Sequence, residues 1–116
     1  MSQIICFDCK KEVPEYNAIR EVFDDEKERY VWKNVKICKH CKINEQLGLL
    51  EKDYSTEYII IHLNNLTVYK FNLKDAKLVL IEYDPDIDGF LVTIEYSDSY
   101  RYIVEYDFNL NPVRVM

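Results

Sequence analysis

At 116 residues, with 48% hydrophobic residues, two Gly and three Pro, the chain has the composition of one globular domain or two small subdomains, not of a disordered or fibrous protein. No apolar run approaches the roughly 20 residues that cross a bilayer, and Met1-Ser2-Gln3-Ile4-Ile5 has no charged stretch leading into an apolar one, so the expected compartment is the cytoplasm. The net charge of −6 is uneven: residues 1–52 carry ten Lys/Arg and ten Asp/Glu, residues 53–116 five and eleven, and an acidic half repels phosphate backbones while suiting a basic partner.

The first element is Cys6-Phe7-Asp8-Cys9, followed by the polar turn Lys10-Lys11-Glu12-Val13-Pro14. Residues 17–23 then read as a strand, 24–28 as a charged connection and 30–37 as the returning strand, because β-branched and aromatic side chains populate both runs. From Lys39 to about Lys52 the apolar residues Ile43, Leu47, Leu50 and Tyr54 recur at helical spacing, with Glu45, Gln46 and Glu51 off the stripe. The second pair, Cys38-Lys39-His40-Cys41, therefore brackets a helix N-terminus, where outward-pointing N–H groups favour thiolate over thiol.

These two C-x-x-C pairs hold every cysteine of the chain, and four thiolates at this spacing close a tetrahedral shell around one Zn²⁺. Disulfides suit a secreted chain, and a redox C-x-x-C has no use for a second pair, so zinc on Cys6, Cys9, Cys38 and Cys41 is the expectation. A catalytic zinc keeps one position open for water, whereas four cysteines leave none, so the site is expected to be structural. His40, between two ligands, is expected to face solvent. The lysines around the ligands, Lys10, Lys11, Lys33, Lys36, Lys39 and Lys42, offset the −2 charge of a four-thiolate zinc or, in a competing reading, contact phosphates.

Knuckle, hairpin, then a helix whose first turn carries the last two cysteines: over residues 4–52 this order resembles a treble-clef zinc finger, as in the N-terminal zinc-binding domain of the Clp protein unfoldases and the small sigma-factor inhibitors of the Gin type. The likeness rests on Cys6, Cys9, Cys38, Cys41 and the Ile37-Cys38-x-x-Cys41-Lys42-Ile43 pattern, with Lys10 standing where such a knuckle often has glycine. It implies a finger that mainly binds protein, as a bacterial or phage regulator would.

Beyond Glu57 the period changes to two. Residues 58–63 and 66–73 flank Asn64-Asn65, a pair that tolerates positive φ and suits a tight hairpin turn. Residues 78–83, 90–97, 100–108 and 113–116 continue the pattern, so the expected fold is α+β: a treble-clef-like module over 1–53 and an antiparallel β-meander of five or six strands over 54–116. Phe90, Val92, Ile94 and Tyr96, with Tyr100, Tyr102, Val104, Tyr106 and Phe108, form its apolar face, and the stripe of Ile43, Leu47 and Leu50 is the expected cover. Asp84-Pro85-Asp86-Ile87-Asp88-Gly89 with Glu95 matches a calcium-loop pattern, but a strand over 90–97 carries Glu95 roughly 20 Å away, so an acidic hairpin turn is the reading. His40 and His62 have no nucleophile motif near them and no enzyme activity is expected. Eight of ten tyrosines lie from residue 54 onward, as suits a docking surface. The expected function is a zinc-binding adaptor or inhibitor that engages a basic protein, with self-association a further outcome; the alternative is a nucleic-acid-binding regulator using the lysines.

Overall fold

The computed structural model describes residues 5–116. The first four residues, and with them most of the stretch read above for a targeting signal, lie outside the described residues. One helix and eight strands, all paired antiparallel, give an α+β fold that divides into two compact units, Met1–Asn44 and Glu45–Met116. Among the described residues no helix is long and apolar enough to cross a membrane.

In the first unit β1 (Tyr16–Asp24) and β2 (Arg29–Ile37) pair from Tyr16↔Ile37 to Asp24↔Arg29. The turn between them is set by Asp24, whose carboxylate accepts the N–H of Glu26 at 3.0 Å and of Lys27 at 3.3 Å, with Glu28 at φ 51°. Short carboxylate side chains favour this arrangement because they satisfy turn N–H groups locally. Strand alternation puts Tyr16, Ala18, Val35 and Ile37 on one face, with Ala18 and Ile37 buried against Cys6 and Cys38. Ile19, Phe23, Tyr30 and Trp32 occupy the opposite, exposed face, where Phe23 and Tyr30 meet edge to face at 5.3 Å.

The second helix-and-sheet unit starts inside α1 (Lys39–Asp53). β3 (Tyr58–Leu63) and β4 (Thr67–Asn72) form the expected hairpin: Asn64 and Asn65 sit at φ 53° and 57°, and Leu66 N–H donates to Leu63 C=O at 3.1 Å. β5 (Ala76–Asp84), β6 (Gly89–Tyr96), β7 (Arg101–Asp107) and β8 (Pro112–Val115) follow in one four-stranded sheet. The six strands thus exist, but they do not form one continuous meander, because β4 and β5 are not hydrogen-bonded neighbours. The three-residue link between them consumes its polar groups locally. Asn72 accepts Lys74 N–H at 3.0 Å through its side-chain oxygen, its amide reaches Asp75, and Ala76 N–H bonds Leu73 C=O at 3.2 Å.

β6 lies between β5 and β7 and supplies the core, with Phe90, Val92 and Ile94 fully buried beside Val104 and Tyr106 of β7. Thr93, expected on the outer face, is also buried, because Leu80 and Ile103 flank it in register. The start of β6 must be glycine: a Cβ on Gly89 would stand 2.3 Å from the Tyr106 carbonyl oxygen. The helical stripe also differs from expectation. In the second unit its buried residues are Gln46, Leu50 and Tyr54, while Leu47 is half-buried. Gln46 goes inside because its amide N–H donates to Phe108 C=O at 3.1 Å, which removes the cost of burying it, and Tyr54 shares a 2.8 Å hydroxyl hydrogen bond with Tyr106. Burial pushes both phenols above their ordinary pKa, so each stays protonated.

Candidate metal centre

Residues 6–9 and the first turn of α1 bring the four thiols together from opposite ends of the first unit. Cys6 N–H donates to Glu12 C=O at 2.8 Å and Phe7 N–H to Lys36 C=O at 2.9 Å, which ties the first pair to its own turn and to the end of β2. Within each pair the backbone folds toward its leading sulfur: Cys9 N–H points at Cys6 Sγ at 3.4 Å and Cys41 N–H at Cys38 Sγ at 3.5 Å. The position after Cys9 takes the left-handed conformation, with Lys10 at φ 63° and its N–H donating to Cys6 C=O at 3.0 Å. Glycine reaches that conformation without strain, so Lys10 adopts the backbone geometry of a glycine position, and its ammonium lies 4.4 Å above the Phe7 ring.

All four sulfurs lie within 4.8 Å of one another. Cys6 and Cys41 are 3.6 Å apart and Cys9 and Cys38 3.8 Å, too long for disulfides, and all four cysteines are free. A tetrahedron with metal–sulfur arms of about 2.3 Å has edges of about 3.8 Å, so the donor set fits a tetrahedral ion of that size. The four cysteines are positioned to bind a metal ion, and every sequence-nominated ligand is in the cluster.

The electrostatics point the same way. Burial works against ionising Cys6, yet the N–H groups of Cys9, Cys38 and Asp8 outweigh it and hold its thiol down at about 6. Cys41 is pushed up by burial and then by the sulfurs of Cys38, Cys6 and Cys9. The N–H of Cys41 favours the Cys38 thiolate, but burial together with the sulfurs of Cys6 and Cys9 outweighs it and Cys38 is raised too. One thiolate is accommodated and the next ones are resisted, as in any tight cluster that a cation must neutralise.

Sequence reasoning missed the residues that hold the first pair in place. Asp8 forms a two-pronged ion pair with Arg20 of β1, from Arg20 Nε at 3.1 Å and from a terminal guanidinium nitrogen at 2.8 Å. The geometry matches planar guanidinium to carboxylate, but 12 residues separate the partners and no local pattern links them. His40 is exposed, with Asn44 at 3.5 Å from its Nε2, and Lys42 donates its ammonium to Asn17 C=O at 3.3 Å.

The aspartate-rich turn is built differently. Asp84 accepts Asp86 N–H at 2.9 Å, Asp88 sits at φ 47° and accepts the Tyr83 hydroxyl at 2.6 Å, and Glu95 lies on β6 opposite Arg101. The glycine of the pattern is explained by the close approach of Gly89 to Tyr106. Millimolar Ca²⁺ is therefore expected to leave the melting temperature unchanged. A site filled at 100 times its dissociation constant would add about 2.7 kcal/mol, so a rise of several degrees that Asp86→Asn abolishes would show a real site.

No protein-family model matches the chain, and no curated protein or solved structure does either.

Proposed function

We propose that the chain is a small zinc-binding interaction protein, an adaptor or inhibitor without enzyme activity, whose treble-clef-like finger is a structural element and whose acidic β unit binds a basic protein partner. Zinc is favoured over other ions because four soft thiolates in a tetrahedron suit it, and the filled shell leaves no position for substrate. The observation that carries the reading is charge segregation between the units. Residues 45–116 hold six Lys/Arg and 13 Asp/Glu, net −7, while residues 1–44 hold nine and eight, net +1. The acidic unit also exposes large apolar side chains, among them Ile60, Val68, Leu80 and Tyr100. Charge of one sign steers encounter with its opposite, and exposed aromatic and aliphatic area supplies the short-range contact.

Reversal of two exposed carboxylates, Glu82→Lys with Asp86→Lys, tests this against Lys10→Glu with Lys11→Glu. Asp88 is spared because it holds the Tyr83 hydroxyl. With a partner captured from host lysate and then purified, the carboxylate pair is expected to slow association about tenfold and flatten its salt dependence, with a smaller effect from the lysine pair. If the lysine pair abolishes binding and the carboxylate pair does nothing, the acidic unit is not the binding face. A salt-sensitive mobility shift with nucleic acid would establish the phosphate-binding alternative instead.

A further inference from the structure

At the end of the four-stranded sheet away from the aspartate turn, five aromatic side chains and one carboxylate surround a cavity of about 350 Å³: Tyr69 and Phe71 of β4, Tyr96 of β6, Tyr102 of β7, and Asp98 and Tyr100 of the connection between β6 and β7. Phe71 and Tyr102 have centroids 5.3 Å apart with planes at 60°, and Tyr96 and Tyr102 are 6.1 Å apart at 78°. Tyr69 and Phe71 lie nearly parallel, 6.4 Å apart at 7°, so the angled walls are those of Phe71, Tyr102 and Tyr96, and a guest between them can lie within about 6 Å of more than one centroid, the range in which a cation is attracted to a ring.

Part of the rim is held by hydrogen bonds of the protein itself. Tyr96 donates its hydroxyl to Asn72 C=O at 3.0 Å, which joins the rim to the end of β4. Tyr96 N–H bonds Tyr100 C=O at 2.9 Å, Ser99 takes φ 72° with its N–H on Tyr96 C=O at 3.1 Å, and Asp98 accepts Tyr100 N–H at 3.4 Å. Tyr100 is 63% exposed and stands at the mouth. Burial chiefly, then the nearby Tyr102, Asp75 and Asp98, raises the Tyr96 phenol above its ordinary pKa, so it stays protonated. The positive charge that borders the cavity, Lys70, is already engaged, since its ammonium lies 4.6 Å from the centroid of the Tyr58 ring, on the face of β4 opposite Tyr69 and Phe71.

We propose that this cavity is an aromatic cage for an organic ammonium group, presented by a basic partner on a lysine side chain. The assignment rests on the protein-binding reading for its source of ligand, and on the rings and Asp98 for its chemistry. A neutral guest of the same shape would gain the apolar contact but neither the ring quadrupoles nor the carboxylate.

The test needs no partner. Tyrosine ring resonances of the full chain are followed by NMR during titration with tetramethylammonium chloride, with Nα-acetyl-lysine methylamide, and with the neutral isostere 3,3-dimethylbutan-1-ol. Both cations are expected to shift the Tyr96 and Tyr102 signals at millimolar concentration, with the isostere weaker by about 2- to 30-fold, the span of one cation–π contact. Asp98→Asn, at an exposed position, is expected to weaken the cations by a similar factor and leave the isostere unaffected, whereas Tyr100→Ala, also exposed, removes apolar contact as well and is expected to weaken all three guests, the cations most. Equal binding of the isostere, no shift with either cation, or cation binding untouched by both substitutions would overturn the cage. Tetramethylammonium binding without lysine amide binding would overturn the lysine source. The turn probed by Asp86→Lys lies at the opposite end of β6, so the cage and the wider partner-binding reading can fail separately.

Discussion

Replacing Cys38 by serine is expected to unfold the first unit while the second stays folded. In that unit the buried residues that pack together are Cys6, Ala18, Ile37 and Cys38, so half of the set are cysteines positioned to bind a metal ion. Apart from the cysteines, Ala18 and Ile37 with the partly buried Phe7, Tyr16 and Val35 make too small a core to offset the conformational entropy of ordering some 40 residues, which costs about 1–2 kcal/mol each for the backbone alone. A structural zinc contributes about 10–16 kcal/mol in small fingers, and Cys38, 1% exposed, cannot be replaced by a water-bound ligand without opening the site. In a ¹H–¹⁵N correlation spectrum the amides of β1 and β2 should collapse toward random-coil positions in Cys38→Ser or in chelator-treated protein, while those of β5 to β8 keep their dispersion. Elemental analysis should give one zinc per chain, with affinity falling as pH falls because protons compete for the thiols. A half-exposed ligand gives a second check through Cys9→Ser. Native dispersion of β1 and β2 in metal-free protein would refute a structural role for the cluster.

How much of this was written in the sequence depends on whether the signal is local. The four cysteines, the strand periods, the helix start at Lys39 and the Asn64-Asn65 turn all depend on residues a few positions apart, and each appears in the structure within a residue or two of where the pattern puts it. The period-2 pattern says that residues 66–73 and 78–83 are strands, but it carries no information on whether they pair with each other. That is decided by the hydrogen bonds of the Asn72–Ala76 link. Gln46 escaped because hydrophobic periodicity scores it as surface, whereas its burial depends on a carbonyl 62 residues away. Asp8 and Arg20 escaped for the same reason, their pairing being visible only once β1 has passed beside the first cysteine pair. Alternation puts Tyr96, Tyr100 and Tyr102 on one face of the sheet, but their convergence with Tyr69 and Phe71 is not in the pattern, since it needs β4 beside the end of β6 and β7.

The second unit is expected to depend on Phe90 as the first is expected to depend on a metal. Phe90 is fully buried, its ring 5.5 Å from Tyr83 and 5.9 Å from Phe108, and its strand neighbours Val92 and Ile94 are fully buried as well. Phe→Ala at such a site loses the transfer free energy of the ring and leaves a cavity, together about 3–5 kcal/mol. Against a total stability of about 5–15 kcal/mol for a native protein, that removes between about a fifth and all of it. The denaturation midpoint of Phe90→Ala in urea should therefore fall steeply while the slope stays constant, because the surface exposed on unfolding is little changed. Phe90→Leu refills most of the volume and should cost less than half as much. Because the thiol cluster has its own packing set of Cys6, Ala18, Ile37 and Cys38, Phe90→Ala should still bind one metal ion per chain. A cost near zero for Phe90→Ala would mean that β6 does not hold the core of this unit, and the positions of Tyr96 and Tyr102 that define the cage would lose their support.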